Sequence, residues 1–261
     1  MGSEMCIRDS LFAVFMSSFR VKNTRASVIK YADDVTIVIP VKKSDFFYDV
    51  SLAIDEINNF KKWCTEQGMS INTDKTKVLN INVTSNPLPV VPMFPNVESL
   101  KLLGLVFNKD LTWTDHFDVI LSKLSRRLYV LRILKPLLTH DRLVLVFNAI
   151  FSSVMDYSSQ VFLNPGKGQD GRLLKLCKRA FYIIHGNNNC NQCDILNIIE
   201  RRRILAMKLF SNARTDEQHV LHSLIPSTSD RSKRIILPYA QTSRRVNSFF
   251  FSCSLTYEDQ L

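Results

Sequence analysis

No apolar run in this 261-residue chain is long enough to cross a membrane. Its six cysteines (Cys6, Cys64, Cys177, Cys190, Cys193 and Cys253) do not make a disulfide framework in a chain of this size. That points to a reducing, intracellular compartment, nuclear or cytoplasmic. The stretch "LFAVFMSSF" after Arg8 imitates a signal peptide only loosely, because it is short and follows Glu4 and Asp9. There is no internal repeat. Acidic residues are scarce in one region only. Residues 121–214 hold 16 Lys/Arg against five Asp/Glu, whereas residues 1–100 hold 11 of each. The formal charge of +10 is therefore a property of the second half. Such asymmetry suits a polyanion partner, most simply nucleic acid, although a solvated basic surface has the same composition.

What is present is enough for a core, since 46% of the residues are hydrophobic. "VIKYADDVTIVIP" sets two adjacent acids, Asp33 and Asp34, between β-branched residues typical of a buried strand. Residues 26–41 are expected to form a β-hairpin with the aspartates at its tip. A helix is expected over 44–67, capped by Ser44 and ended by Gly68. "TKVLNINV" (76–83) alternates like a strand, "SNPLPVVPMFP" is a proline-rich connector, and 100–111 reads as a second hairpin with "NKD" near its turn.

From Trp113 the period becomes helical. Phe117, Ile120, Leu124, Leu128, Leu131 and Leu134 form one apolar stripe. A central helix is expected over about 140–162, a third over about 170–184 with Leu173, Leu176, Cys177, Ala180 and Ile184 inward, and a further one over about 195–212. Beyond Ile225 the chain reads as polar and irregular.

Buried carboxylates need partners. Two of them at a hairpin tip could share Mg²⁺, which prefers hard oxygen ligands, and a pair of such ions holds the attacking and leaving oxygens of a phosphoryl transfer. A water-facing Asp-Asp turn is the plain alternative. "YADD" between two hydrophobic β runs resembles the Tyr-x-Asp-Asp motif of reverse transcriptases. "FKKWCTEQGMSINTDKTKVLNI" is similar to the helix and Lys-bearing strand after the catalytic hairpin in the non-LTR retrotransposon enzymes. "LKLLGLVFNKDLTWTDHFDVI" resembles their primer-grip hairpin leading into the thumb. "IERRRILAMKLF" and "SRRVNSFF" resemble their C-terminal region. The pieces occur in the family's order, from about Leu11 to Phe250.

The resemblance implies an α+β fold: a partial polymerase palm carrying the catalytic hairpin, then an all-α thumb and connection bundle. Residues 1–10 would be an extraneous lead, 11–111 the C-terminal part of the palm, 112–214 the thumb and connection, and 215–261 an irregular tail. It implies Mg²⁺ as cofactor, with Asp33 a metal ligand and Asp34 the second carboxylate. Tyr31 would pack beneath the incoming nucleotide and primer end, and small Ala32 would leave room for the primer. Lys75 would stand near the triphosphate, with Lys77 its rival and an ordinary solvated lysine an equal reading of either. Gly104 would let the primer-grip backbone approach nucleic acid, or is simply a hairpin glycine. Arg172, Lys175 and Arg179 share a helix face that would meet the RNA template and DNA primer. The family's first catalytic Asp and its fingers residues lie ahead of this hairpin, and only Glu4 and Asp9 precede Asp33 here. The expectation is a truncated polymerase, inactive as it stands, with a catalytically dead nucleic-acid-binding remnant as the alternative.

Two other clusters invite weaker readings. His185, Cys190 and Cys193, with His222, could hold zinc, but a single Cys-x-x-Cys with this spacing is unlike the usual finger. Arg201, Arg202 and Arg203 could bind phosphate, though their consecutive placement puts at most two on one helix face.

Overall fold

A computed structural model describes residues 10–43, 48–81, 90–163, 166–186, 198–229, 234–237, 239–240 and 242–258. Helices and small sheets are mixed, and the chain divides into two compact units, Met1–Leu100 and Lys101–Leu261. Ser44, Cys190 and Cys193 lie outside the described residues.

In the first unit, a short helix α1 (residues 10–16) leads into an antiparallel hairpin of β1 (Ser27–Tyr31) and β2 (Asp34–Val38). Two-residue strands β3 (Lys42–Lys43) and β4 (Tyr48–Asp49) pair next. Helix α2 (Ser51–Glu66) follows; it begins later than the expected residue 44, because Tyr48–Asp49 pair as a strand ahead of it. It ends as its sequence suggests. Gly68 has φ +69°, its N–H donates to the Thr65 carbonyl, and the Met69 N–H closes back on Cys64 at 2.8 Å. That is the paired arrangement by which a left-handed residue satisfies the last carbonyls of a helix. Phe19 packs edge-on against Phe60 at 5.0 Å and beside Trp63 at 5.4 Å, joining the turn after α1 to α2. The buried Glu56 carboxylate accepts the backbone N–H groups of Lys22 (3.2 Å) and Asn23 (2.6 Å), so its desolvation is matched by donors. Of the strand expected over 76–83, the described residues 76–81 show β5 (Val78–Leu79), which pairs in parallel with β6 (Asn96–Val97).

The second hairpin joins β7 (Ser99–Leu102) to β8 (Leu105–Asn108). Its turn is Leu103–Gly104 and not "NKD". Both central residues have positive φ, +47° and +84°, as a tight two-residue hairpin of mirror-image type demands. "NKD" instead closes the entry to the next helix. The buried Asn108 donates from Nδ2 to Thr112 Oγ1 (2.8 Å) and accepts the Thr112 N–H (2.8 Å).

Helix α3 (Thr114–Leu134) buries Phe117, Ile120, Leu124, Leu128 and Leu131 of the stripe read from its period, and leaves Leu134 at its end half-buried. Opposite it, α6 (Lys167–His185) buries Leu173, Leu176, Cys177, Ala180 and Ile184. The long central helix expected between them is broken. Helix α4 (His140–Phe147) passes through a π-helical turn (Asn148–Ser152) into α5 (Ser153–Asp156), and 157–163 is a series of turns. Leu145 is 67% exposed, so the segment is not apolar-buried all round. A smaller core forms where α7 (Ile198–Thr215) meets the C-terminal segment. There the expectation of an irregular tail fails. After α8 (Ser243–Val246), α9 (Phe249–Glu258) is helical, and buried Cys253 packs with Phe210 and Ala206.

His116 bridges β8 and α3. Its ring lies 5.1 Å from Phe162, and its Nδ1 accepts the Val106 N–H at 3.4 Å. Burial, and secondarily the Lys123 charge, lowers its pKa from the ordinary 6.5, so folding favours its neutral form. The unfolded chain then binds the extra proton. The contribution of His116 is full above about pH 6.5 and fades as the pH falls through that value. Urea midpoints at pH 7.5 and 5.5 are expected to differ, and the difference to shrink in His116→Phe; an equal difference would exclude His116 as the cause.

Candidate active site

The hairpin tip is built by register. Tyr31 pairs with Asp34, which leaves Ala32 and Asp33 as a two-residue turn. Ala32 takes φ +49°, the place where such turns favour glycine, and holds strain of about 1–3 kcal/mol. Alternation then sorts the side chains. Val28, Lys30, Val35 and Ile37 share the half-buried face, while Ile29, Tyr31 and Asp34 lie on the outer one. Asp33 and Asp34 are both exposed, and Tyr31 is 63% exposed. The premise of buried carboxylates is therefore corrected: two strands alone cover one face of the ribbon only, so these acids keep their water. As adjacent exposed carboxylates they are hard oxygen donors, the kind Mg²⁺ prefers. Among the described residues no group of three or more potential metal ligands forms.

Lys30 was not singled out by its sequence, yet it fixes the hairpin. Its Nζ donates to the carbonyls of Met16 (2.6 Å) and Phe19 (2.8 Å) and lies 5.6 Å from the Phe19 ring. Burial, and then the neighbouring Arg20 charge, lowers its pKa. The available signal was a lysine in phase with Val28 on the inner face. Lys75 sits in the turn 73–75 and not on a strand, its N–H held by the Asn72 side chain at 3.0 Å. Lys75 and Lys77 are exposed, and among the described residues neither forms an ion pair with Asp33 or Asp34.

In the second unit, Gly104 is explained by its own turn and by Tyr157. The Tyr157 hydroxyl donates to the Leu103 carbonyl at 2.6 Å, and a Cβ on Gly104 would stand 3.1 Å from the Tyr157 ring. Arg172, Lys175 and Arg179 are exposed on α6, but Arg172 is committed to Asp118 at 2.7 Å. The arginine triplet disperses. Arg201 pairs with Asp156 (2.7 Å), buried Arg202 with Asp170 (3.0 Å), and Arg203 with Glu200 (4.0 Å). His185 Nδ1 lies 3.1 Å from His140 Nε2, and its ring stacks on Phe181. His222 Nδ1 lies 2.9 Å from the Ala213 carbonyl oxygen. Comparison of the chain with protein-family models, curated proteins and solved structures gave no match.

Proposed function

We propose that this chain carries the catalytic hairpin of an RNA-directed DNA polymerase of the non-LTR retrotransposon type, followed by the helical thumb and connection. The observation that carries the reading is the hairpin tip: adjacent aspartates, Asp33 in the two-residue turn and Asp34 opening β2 across from Tyr31. Asp33 and Asp34 would hold Mg²⁺. The bound ions supply charge neutralisation of a triphosphate and activation of a primer 3′-hydroxyl. Tyr31, with Ile29 beside it, offers an exposed apolar platform for the primer end or the incoming base. Ala32 keeps the approach to the carboxylates free of bulk. The net positive second unit would serve the RNA template and DNA primer.

The second reading is a catalytically silent remnant that binds nucleic acid. It is favoured by one observation: among the described residues no third ligand joins the two aspartates.

The first reading predicts where a cation goes. Titration of the ¹⁵N-labelled chain with Mn²⁺, as a paramagnetic stand-in for Mg²⁺, is expected to broaden the amides of Tyr31 to Val35 first. Asp33→Asn with Asp34→Asn should abolish that selectivity. Broadening centred elsewhere, or unchanged in the double variant, would remove the aspartates from the metal role.

A further inference from the structure

The cations of the second unit are not all alike. Arg172, Arg201, Arg202 and Arg203 each have a carboxylate partner. Among the described residues, Arg132, Lys135, Lys178 and Arg179 have none: their side chains make no ion pair or hydrogen bond there, and together they line a groove of ≈ 510 Å³ between α3 and α6. Tyr182 and Ile183 complete the lining, and no acid among the described residues contributes to it. Tyr182 is 52% exposed, and its hydroxyl has no hydrogen-bond partner among the described residues.

Four unpaired cations in one concavity repel one another, and no described carboxylate offsets the cost. Helical spacing makes the arrangement regular. Lys178 and Tyr182 are four apart on one face of α6, and Arg132 and Lys135 are three apart at the end of α3. Cations on both walls with an exposed ring in the same lining match a strand that presents phosphates and bases alternately. The space is small for a duplex, and a lone anion would have no use for the ring.

We infer that the α3–α6 groove binds single-stranded nucleic acid, its phosphates held by Arg132, Lys135, Lys178 and Arg179 and one base stacked on Tyr182. Lys178 and Lys135 act as point charges, whereas the two guanidinium groups can each take two phosphate oxygens. Binding is electrostatic in its phosphate part and tolerant of sequence in its stacking part. The groove does not depend on the carboxylate reading. The inference rests on the reading that the second unit serves nucleic acid but not on the carboxylates: a chain with Asp33→Asn and Asp34→Asn is expected to bind the strand unchanged, so the metal role and the groove can fail separately.

The test is fluorescence anisotropy of the full chain with a short labelled single-stranded RNA across a salt series. The triple variant Arg132→Gln, Lys178→Gln, Arg179→Gln is expected to flatten the slope of log affinity against log salt by about two units, at roughly 0.7 per phosphate contact. Tyr182→Leu should weaken binding about 5- to 150-fold with the slope unchanged, and Tyr182→Phe should restore it. An abasic strand should bind the unaltered chain as weakly as the intact strand binds Tyr182→Leu. Lys208→Gln, an exposed change on α7, serves as the control, and helical circular dichroism confirms that each variant is folded. An unchanged slope in the folded triple variant would overturn the assignment. So would equal affinity for the abasic strand, preference for a duplex, or displacement by inorganic tripolyphosphate at equal phosphate concentration, which would make this a small-anion site.

Discussion

Replacing Asp170 by Leu is expected to destabilise the helical unit by about 3–5 kcal/mol, the range for removing one partner of a buried ion pair. Asp170 answers Arg202 across α6 and α7 at 3.0 Å, and the Arg202 side chain is only 3% exposed. The guanidinium lies between two rings, 5.7 Å from Phe117 and 5.6 Å from Phe162, with the Leu163 carbonyl as a further acceptor at 3.5 Å. Its Nε has no partner among the described residues. The rings favour a cation but do not replace a carboxylate, so deleting Asp170 leaves a charge with little water and no counterion. The reverse change, Arg202→Met, should cost less, because Asp170 at 20% exposure can recover solvent. Most telling is the double variant Asp170→Leu, Arg202→Met. An apolar pair of similar volume is often as good as the ion pair it replaces, so stability should largely return. Urea unfolding followed by helical circular dichroism reads all three. If the double variant is no better than Asp170→Leu, packing and not charge explains the loss.

The second large effect concerns chemistry. The purified chain is expected to show no primer extension on an RNA template with Mg²⁺, and to match a chain with Asp33→Asn and Asp34→Asn. Both carboxylates face solvent, and Mg²⁺ sheds its water reluctantly. Attraction between charges at an exposed turn is weak, about 1 kcal/mol at 4 Å in water. Two-metal transfer also requires the reacting oxygens to be held in line. Well-oriented systems gain about 7–11 kcal/mol from such positioning, and each 1.36 kcal/mol is tenfold in rate. A two-residue turn supplies little of it, and among the described residues no third acid fixes a second ion. Template-dependent incorporation that disappears in the Asn chain would mean that another group completes the site.

The legible parts of this molecule were those set by local spacing. Leu124, Leu128 and Leu131 recur at helical period, and so do Leu173, Ala180 and Ile184, and both sets are buried. The hairpin at Ala32–Asp33 was readable because two β-branched runs flank a pair of turn-tolerant acids. Features decided by tertiary neighbours were not. Whether Asp33 and Asp34 are buried depends on what covers a two-stranded ribbon, which alternation alone does not say. The Leu103–Gly104 turn was obscured because leucine seldom takes positive φ, so "NKD" offered the stronger turn composition. Phe249, Phe250 and Phe251 gave α9 no polar face from which to infer a helix, and Ser252 and Ser254 are buried with Cys253. Arg202 looked like one third of a basic cluster until its distant partner was placed.

The π-helical turn at Asn148–Ser152 bears on how this chain tolerates change in length. Leu143, Phe147, Phe151 and Met155 are all buried, at intervals of four. In a straight α-helix each such step turns the side chain about 40° further round the axis, so the last would point well away from the first. The wider turn advances less per residue and cancels part of that drift. The extra residue thus acts as a phase correction, holding an otherwise mismatched column of side chains on one line. Shortening the segment by a residue would restore regular α-helical hydrogen bonding and at the same time swing everything after it out of register with α3.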